Sequence, residues 1–253
     1  MIRFKKILIS LMGLVTLINA QDIYTTFNIE AKQSANLAFY TGGVVKKVFV
    51  DVASVVKKGE KLVELQNDDL KASLKIAKAN LQNTQVTLKF AKKDYDRQLL
   101  IKDLIDEAKF DQYALNYERA KVGVASAKAN LSYQQSLLDR TIILAPFSGV
   151  IFEKSVEVGD VVSGMMLRTV LKVQSQERRK LILEFDQKYW KSVKIGDSVR
   201  YNVNGDKKTY IGKVSKVYPY ANSQNRKIKA EVQTQNFVVG LFGDGYIEVP
   251  DTK

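Results

Sequence analysis

The chain has 253 residues, of which 45% are apolar and 26% charged, and it contains neither histidine nor cysteine. This composition allows a sizeable core in one to three small domains, and it excludes thiol chemistry, histidine general bases, histidine-bound zinc and disulfides. The net charge of +13 favours anionic lipid headgroups or acidic partners. Nucleic acid is not expected, because the lysines are spread along the chain. We expect a protein that is not an enzyme.

Residues 1–20 have the three-part pattern of a secretory signal peptide. The basic stretch MIRFKK is followed by the apolar run ILISLMGLVTLI and then by the small residue Ala20. The apolar run is shorter than the roughly 20 residues that a transmembrane helix needs. We therefore predict export, with an uncleaved inner-membrane anchor as the alternative. Loss of this segment would lower the net charge from +13 to +10.

The next two segments have β character. Residues 21–36 are predicted as an N-terminal segment that pairs with a barrel region further along the chain. Residues 37–67 contain GGVVKKVFVDVASVVKKGEKL, a sequence of short valine-rich runs separated by glycine, which predicts strands joined by tight turns.

Residues 68–140 are predicted as two long helices. The segment contains no proline and one glycine, Gly123, and apolar or small side chains recur at alternating steps of three and four residues. These seam positions are 70, 74, 77, 81, 84, 88, 91, 95 and 98 in the first half, and 110, 113, 117, 120, 124, 127, 131, 134 and 138 in the second.

The two seams match each other if the chain folds back near Leu104. Paired in opposite order, they bring large residues against small ones, and Leu81 then faces Ala127 while Ala77 faces Leu131. The sequence therefore predicts an antiparallel coiled-coil hairpin.

The predicted turn of this hairpin is unusually apolar. A solvated loop is normally polar, yet LLIKDLID places Leu100, Ile101, Leu104 and Ile105 there, which suggests a partner. Asp106 is placed to cap the returning helix. Arg97 lies one turn before the bend, where it could reach a partner or simply pair with Asp94 or Asp96.

The segment after the helices repeats the segment before them. With Gly43 aligned to Gly149, both contain a strand, a tight turn at Ala53-Ser54 or Gly159-Asp160, two valines, a glycine (Gly59 or Gly164) and another strand. Residues 141–174 are thus predicted as the second half of one quasi-symmetric β-sandwich. Hinges are expected near residues 66–69, 140–147 and 174–180.

Residues 175–250 are predicted as a small β-barrel. Turns are expected at VNGDKK, YPYANSQN and FGDG, and at Gly196, Gly212 and Gly245.

This arrangement resembles the periplasmic adaptor proteins, also called membrane fusion proteins, of the HlyD-like superfamily. The resemblance rests on GGVVKKVFVDVASVVKKGEKLVEL, NDDLKASLKIAKANL, DYDRQLL and LAPFSGVIFEKSVEVGDVV, within residues 40–173. It implies an elongated, mainly β protein in which a split lipoyl-like sandwich carries a long α-helical hairpin next to a β-barrel. The hairpin occupies the place of the lysine that lipoyl carriers modify, so no cofactor is expected. A membrane-proximal domain is expected to be minimal or absent.

The resemblance also implies a function. Such adaptors form an oligomer, here expected as a hexameric ring, between an inner-membrane transporter and an outer-membrane channel, in drug or toxic-compound export. The class implied is the resistance-nodulation-division (RND) class, whose hairpin tips carry an arginine and then a leucine. Arg97 and Leu100 or Ile101 match these, while Asp106 replaces a serine. We expect a periplasmic location at the inner membrane, whose surface is a further possible contact.

Two alternatives remain open from the sequence. An adaptor of an ABC-type or type I secretion system shares the split lipoyl plan but usually has a longer hairpin. An exported ligand-binding protein is the other alternative, although the absence of histidine and cysteine disfavours a soft-metal binder.

Overall fold

The computed structural model describes residues 20–165 and 168–250. These residues divide into two compact units, one of residues 33–165 and 168–176 and one that combines residues 20–32 with residues 177–250. The predicted signal peptide lies, except for Ala20, outside the described residues.

Within the described residues the chain forms two long helices and fourteen strands. In chain order they are β1 Ala20–Ala31, β2 Ser34–Leu37, β3 Gly43–Val48, β4 Val55–Val56, β5 Lys61–Leu65, α1 Asp68–Leu99, α2 Glu107–Asp139, β6 Ile142–Leu144, β7 Gly149–Lys154, β8 Val161–Val162, β9 Leu171–Gln174, β10 Arg178–Asp186, β11 Ser198–Val203, β12 Thr209–Ala221, β13 Lys227–Gln235 and β14 Phe242–Pro250.

Six strands close an antiparallel barrel in the order β1-β10-β13-β12-β11-β14. Strand β1 pairs with β14 on one side and with β10 on the other. Its alternate side chains Ile23, Phe27 and Ile29 are 2% exposed or less, and the Phe27 ring meets the Tyr201 ring edge-on at 5.5 Å. Period-two burial of this kind is expected of a strand with one face toward a core. Strand β1 is thus an integral part of the barrel.

Some glycines predicted as turn residues lie inside barrel strands. The FGDG stretch starts β14, and Gly212 lies in β12. A Cβ on Gly245 would lie 2.3 Å from the Arg200 carbonyl oxygen, and one on Gly212 would lie 2.4 Å from Val232 Cγ1. The prediction of turns there is wrong, because these glycines permit close approach within the sheet. At Gly196, with φ +100°, the predicted turn is present.

The other unit contains two four-stranded sheets, in the orders β2-β9-β7-β4 and β6-β5-β3-β8. In the first sheet the central strands β9 and β7 follow the helices in sequence, and the edge strands β2 and β4 precede them. In the second sheet the central strands β5 and β3 precede the helices, and the edge strands β6 and β8 follow them. One cluster of buried side chains joins them, and Leu62, Leu65, Ile151 and Val173 in it are 0% exposed. The two half-units therefore close a single core. Because β2 pairs with β9, Ser34, Ala35 and Asn36 lie in this unit and not with the barrel, where the sequence had placed them.

The half-units repeat each other down to individual hydrogen bonds. The N–H of Ala53 donates to a carbonyl of β7 at 2.8 Å, and the aligned N–H of Gly159 donates to a carbonyl of β3 at 2.9 Å. The side chains of Ser54 and Asp160 each accept from the backbone N–H three residues earlier at 2.9 Å. Ala53 and Gly159 both have positive φ, 68° and 96°. The predicted correspondence of these two turns is confirmed.

One part of that alignment is wrong. Gly59 occupies a turn with φ +83°, whereas Gly164 packs against the chain at Gly42 and Thr41. A Cβ on Gly164 would lie 3.0 Å from the Gly42 nitrogen, so a glycine at position 164 permits the close approach of these two segments. Its role therefore differs from that of Gly59, which forms a turn.

The two helices begin where the sequence favours helix. Asp68 and Asp69 lie in the first turn of α1, where the positive end of the helix dipole stabilises carboxylates.

The prediction of a mainly β protein with a small barrel and two long helices is confirmed. No helix in the described part of the chain combines the length and the apolar composition needed to cross a bilayer.

Candidate functional site: the turn between the two helices

The two long helices pack against each other along their predicted seams. Among the seam residues, Leu74, Ala77, Phe110, Ala127 and Leu138 are buried. Near the turn, the Tyr95 ring stacks on the Tyr117 ring at 5.2 Å between centroids and meets the Phe110 ring at 5.7 Å. Tyr95 therefore fits between seam positions 110 and 117, as expected if its partner in the opposite order is Tyr113. The observed register agrees with the predicted one at this point.

Aromatic side chains thus close the seam before the chain turns. Phe110 is 8% exposed, and Lys102 places its Nζ 5.0 Å from the Phe110 ring centroid. A cation over an aromatic face is attracted by the ring quadrupole. Lys102 thus helps to cover the end of the seam.

The turn therefore leaves apolar side chains in water. It consists of residues 100–106 and contains one 3₁₀ turn, Lys102–Leu104. Leu100 is 86% exposed and Leu104 84%, while Ile101 is 42% exposed and Ile105 is half-buried. Two leucines on one short turn thus expose most of their apolar surface to water, which is unfavourable, and burying that surface against a partner would be favourable.

Arg97 is available for a partner despite a local ion pair. Its guanidinium pairs with Asp94 within the same helix, and its side chain is 73% exposed. Exposed pairs of this kind contribute only about 0–1 kcal/mol, so an external carboxylate or carbonyl can compete for the guanidinium. Asp96 is engaged elsewhere, because Lys92 Nζ lies 2.7 Å from it, and this hydrogen bond raises the pKa of Lys92.

Asp106 has a structural task of its own. Its side chain accepts a hydrogen bond from the Lys109 N–H at 3.3 Å, which makes it the N-cap of α2. An N-cap of this type stabilises a helix by about 1 kcal/mol. The six candidate residues at this turn lie together because they are nearly contiguous in sequence. In the described part of the chain, no group of three or more acidic side chains is placed to hold a metal ion.

Comparison with known proteins identifies the family. A family model described as the CzcB-like barrel-sandwich hybrid domain matches residues 33–171, more than half of the chain. The chain belongs to this family. Since the match spans both half-units and both helices, the CzcB-like domain includes the candidate site.

One relative of known sequence is similar to most of the chain. An uncharacterized protein of Haemophilus influenzae is 26% identical over 204 residues, which cover 79% of this chain and 49% of the relative. The chain thus spans about half the length of the curated relative that it matches.

Among solved structures, a MacA-MexA chimera containing the Pseudomonas aeruginosa MexA α-hairpin domain has a TM-score of 0.72 at 22% identity, over 93% of this chain and 84% of the other. MacA from Actinobacillus actinomycetemcomitans has a TM-score of 0.76 at 20% identity, over 91% and 79%. The membrane fusion protein Spr0693 from Streptococcus pneumoniae has a TM-score of 0.68 at 18% identity, over 91% and 100%. The predicted resemblance is confirmed by the CzcB-like family model, and the fold is shared with these solved structures.

The root of the helix pair in the CzcB-like domain contains a polar network that sequence reasoning missed. Asn67, 0% exposed, donates from Nδ2 to Thr141 Oγ1 at 2.9 Å and to Glu64 Oε1 at 3.1 Å. Thr141 in turn donates to the Leu138 carbonyl at 2.6 Å. Asn67 Oδ1 is buried without a hydrogen-bond partner among the described residues. The network joins the residue before α1 to the end of α2.

A surface ion pair completes this network. Lys71 Nζ lies 3.0 Å from Glu64 Oε1, and this hydrogen bond is the largest cause of the lowered pKa of Glu64. An asparagine directly before two acids at a helix start carries no sequence signal of such a network. Asn67 makes no side-chain cap, because its amide is turned toward Thr141 instead.

Proposed function

We propose that the protein is a periplasmic adaptor subunit of a tripartite efflux pump, which links an inner-membrane transporter to an outer-membrane channel in drug or toxic-compound export. The observation that carries this proposal is the pair of distant half-units closing one core at the root of two packed helices with a bare apolar turn. In the proposal, this unit is a lipoyl-like sandwich split by a coiled-coil hairpin. Its action is mechanical and requires no bond chemistry.

The transporter in this proposal is of the RND class. The preference rests on the short arms, which have 32 and 33 residues. An ABC-type or type I secretion system is the alternative, for which a longer hairpin is expected. The proposal places the protein in the periplasm at the inner membrane.

The hairpin turn is the proposed contact with the channel. Leu100 and Leu104 would enter apolar hollows of the channel, with Ile101 and Ile105 beside them. Arg97 would exchange Asp94 for a carbonyl or carboxylate of the channel. Asp106 would hold the returning helix in place by its cap.

Self-association in a ring is supported by the outer faces of the helices. On α1 the side chains of Ile76, Val86 and Phe90 are 70%, 48% and 58% exposed. On α2 those of Leu115, Val122 and Tyr133 are 48%, 67% and 61% exposed. At 100° per residue these side chains lie on the faces away from the seam.

The heights of these apolar residues along the hairpin also agree. In the predicted register Val86 is level with Val122, Ile76 lies within one residue of the level of Tyr133, and Phe90 lies three residues from that of Leu115. Copies placed side by side without an axial shift would therefore bring α1 of one against α2 of the next. Such a head-to-tail contact closes into a ring when the rotation allows it.

The proposal is tested by charge at the hairpin turn. The double variant Arg97→Asp with Leu100→Asp should abolish export and cross-linking to the channel, because a carboxylate in an apolar hollow is costly. The control Lys128→Asp with Ser132→Asp, at exposed positions on α2, should keep both. Unchanged export by the turn variant at normal expression would refute the channel contact.

A further inference from the structure

An aromatic groove lies at one end of the barrel. It is an open groove of about 820 Å³ between the segment after β10 and the end of β12, and it is lined by Trp190, Tyr218, Pro219, Tyr220 and Ile228. Trp190 is 63% exposed and Tyr220 57%. The hydrogen bond from the Gln187 N–H to the Arg226 carbonyl, at 3.0 Å, holds together the two loops that border it.

The rim of this groove is basic. Lys188 lines the groove, Lys191 follows Trp190, and Arg226 lies in the bordering loop. All three are exposed, and within residues 20–165 and 168–250 none of them forms an ion pair with a carboxylate. The Lys191 Nζ lies 5.1 Å from the Trp190 ring centroid. The nearest acid in sequence, Asp186, is engaged as a cap, since its side chain accepts from the Lys188 N–H at 2.8 Å. The rim therefore presents unpaired positive charge around an apolar, aromatic floor.

We propose that this groove docks on an anionic phospholipid surface. Tryptophan and tyrosine prefer the headgroup level of a bilayer, where an apolar ring and a polar N–H or O–H are both accommodated. Lysine and arginine beside them are attracted by anionic headgroups. Trp190 and Tyr220 enter the headgroup layer, and the three cations pair with lipid phosphates. This contact is separate from the hairpin turn, and it does not depend on the class of transporter.

A lipid surface fits these features better than a protein partner does. A protein partner would have to place carboxylates to match each long, flexible lysine side chain at its edge, whereas a fluid anionic surface supplies phosphates wherever these side chains extend. The basic character of the whole chain, with a net charge of +13, acts in the same direction.

The chain has a single tryptophan, so Trp190 fluorescence reports on this groove alone. The full chain is titrated with vesicles of phosphatidylcholine mixed with phosphatidylglycerol, and separately with vesicles of phosphatidylcholine only. We expect a blue shift of the emission and protection from acrylamide with the anionic vesicles only, reversed by high salt. Binding through residues 1–20 would leave Trp190 in water and give no shift.

Charge reversal supplies the second arm. Lys188→Glu with Lys191→Glu should weaken the vesicle-induced shift by about 25-fold or more, since each lysine near an anionic surface contributes a factor of about five. The matched control is Lys207→Glu with Lys208→Glu, which lie in the loop before β12 and thus at its other end. This control should bind as the unaltered chain does.

Three results would overturn the proposal. They are a Trp190 emission that does not respond to anionic vesicles, an equal response to neutral vesicles, and a charge-reversed variant, folded by circular dichroism, that binds like the control. A shift that depends on protein concentration without vesicles would instead assign the groove to a second copy of the chain.

Discussion

At the scale of single residues, the Asn67–Thr141 hydrogen bond is expected to stabilise the root of the helix pair. Thr141 is 3% exposed, so Thr141→Val leaves one buried amide proton of Asn67 without an acceptor, while the Leu138 carbonyl keeps its hydrogen bond from the backbone N–H of residue 141 at 3.0 Å. We expect the free energy of unfolding to fall by about 1–3 kcal/mol, measured by urea denaturation.

Thr87→Val is the control for this substitution. Thr87 also donates from its hydroxyl to a helix carbonyl, that of Asn83, but at an exposed position. Its replacement should change stability by less than about 0.5 kcal/mol. Equal effects of the two variants would mean that the buried network contributes nothing.

Tyr218 is expected to make stability depend on pH in the alkaline range. Its hydroxyl donates to Glu231 Oε1 at 2.6 Å, and this bond raises the pKa of Tyr218 from 10.0 to about 12. Because the folded pKa lies above the unfolded one, the contribution is fully present below pH 10 and is lost as pH rises through about 12.

The measurement compares the chain with its Tyr218→Phe variant at increasing pH. Stability of the unaltered chain should fall by up to about 2 kcal/mol more than that of the variant over this range. Parallel pH profiles would show that the Glu231 carboxylate does not hold the phenol neutral.

At the scale of elements, the helix seam is expected to tolerate no added volume at its small residues. Ala127 is 5% exposed, and the predicted register places it against Leu81. Ala127→Leu should destabilise the protein by about 1–3 kcal/mol in thermal or urea unfolding, because the helices must separate to admit the side chain. The same substitution at Ala125, which is exposed, should be nearly neutral. A neutral Ala127→Leu would contradict the seam.

The helices were predictable from sequence because their information is local. A three-four spacing specifies one face of a helix, and Asp106 marks its start, so α1, α2 and the turn between them follow from the printed letters. The pairing of β4 with β7 and of β8 with β3 could not be predicted in this way. Two-residue strands such as Val55–Val56 carry no period, and their partners lie about a hundred residues away.

The errors at glycines have the same origin. Gly212 and Gly245 are required by Val232 and Arg200 on neighbouring strands, and a contact of that kind leaves no local trace. The end of β1 is a similar case. The chain changes from the barrel to the sandwich near Lys32 because β1 pairs with β10 and β14 whereas β2 pairs with β9, and these partners lie far away in sequence. At the candidate site the leucines of the turn were predictable from sequence, but their exposure and the position of Lys102 over the Phe110 ring depend on how the chain turns.

At the scale of the whole molecule, a ring of copies predicts a specific disulfide. The chain has no cysteine, so Val86→Cys with Val122→Cys introduces the only two thiols. Both point away from the seam of their own hairpin, and bridging requires Cβ atoms about 4 Å apart, so a bond forms only between neighbouring copies. Oxidation should give a ladder of linked species that ends at the hexamer. Val86→Cys with Tyr133→Cys, at unequal heights, should give none, and the reverse outcome would exclude the proposed ring.

If the helix pair is an insertion in one sandwich and is the protein's only contact with the outer-membrane channel, the sandwich should fold without it. The decisive measurement is made on a protein in which a short Gly-Ser linker replaces residues 68–139, since Asn67 and Thr141 are already joined by a 2.9 Å hydrogen bond. This protein should still unfold cooperatively and still co-purify with the transporter, but no longer with the channel. An unfolded product, or one that retains the channel, would show that the helix pair does not have these two properties.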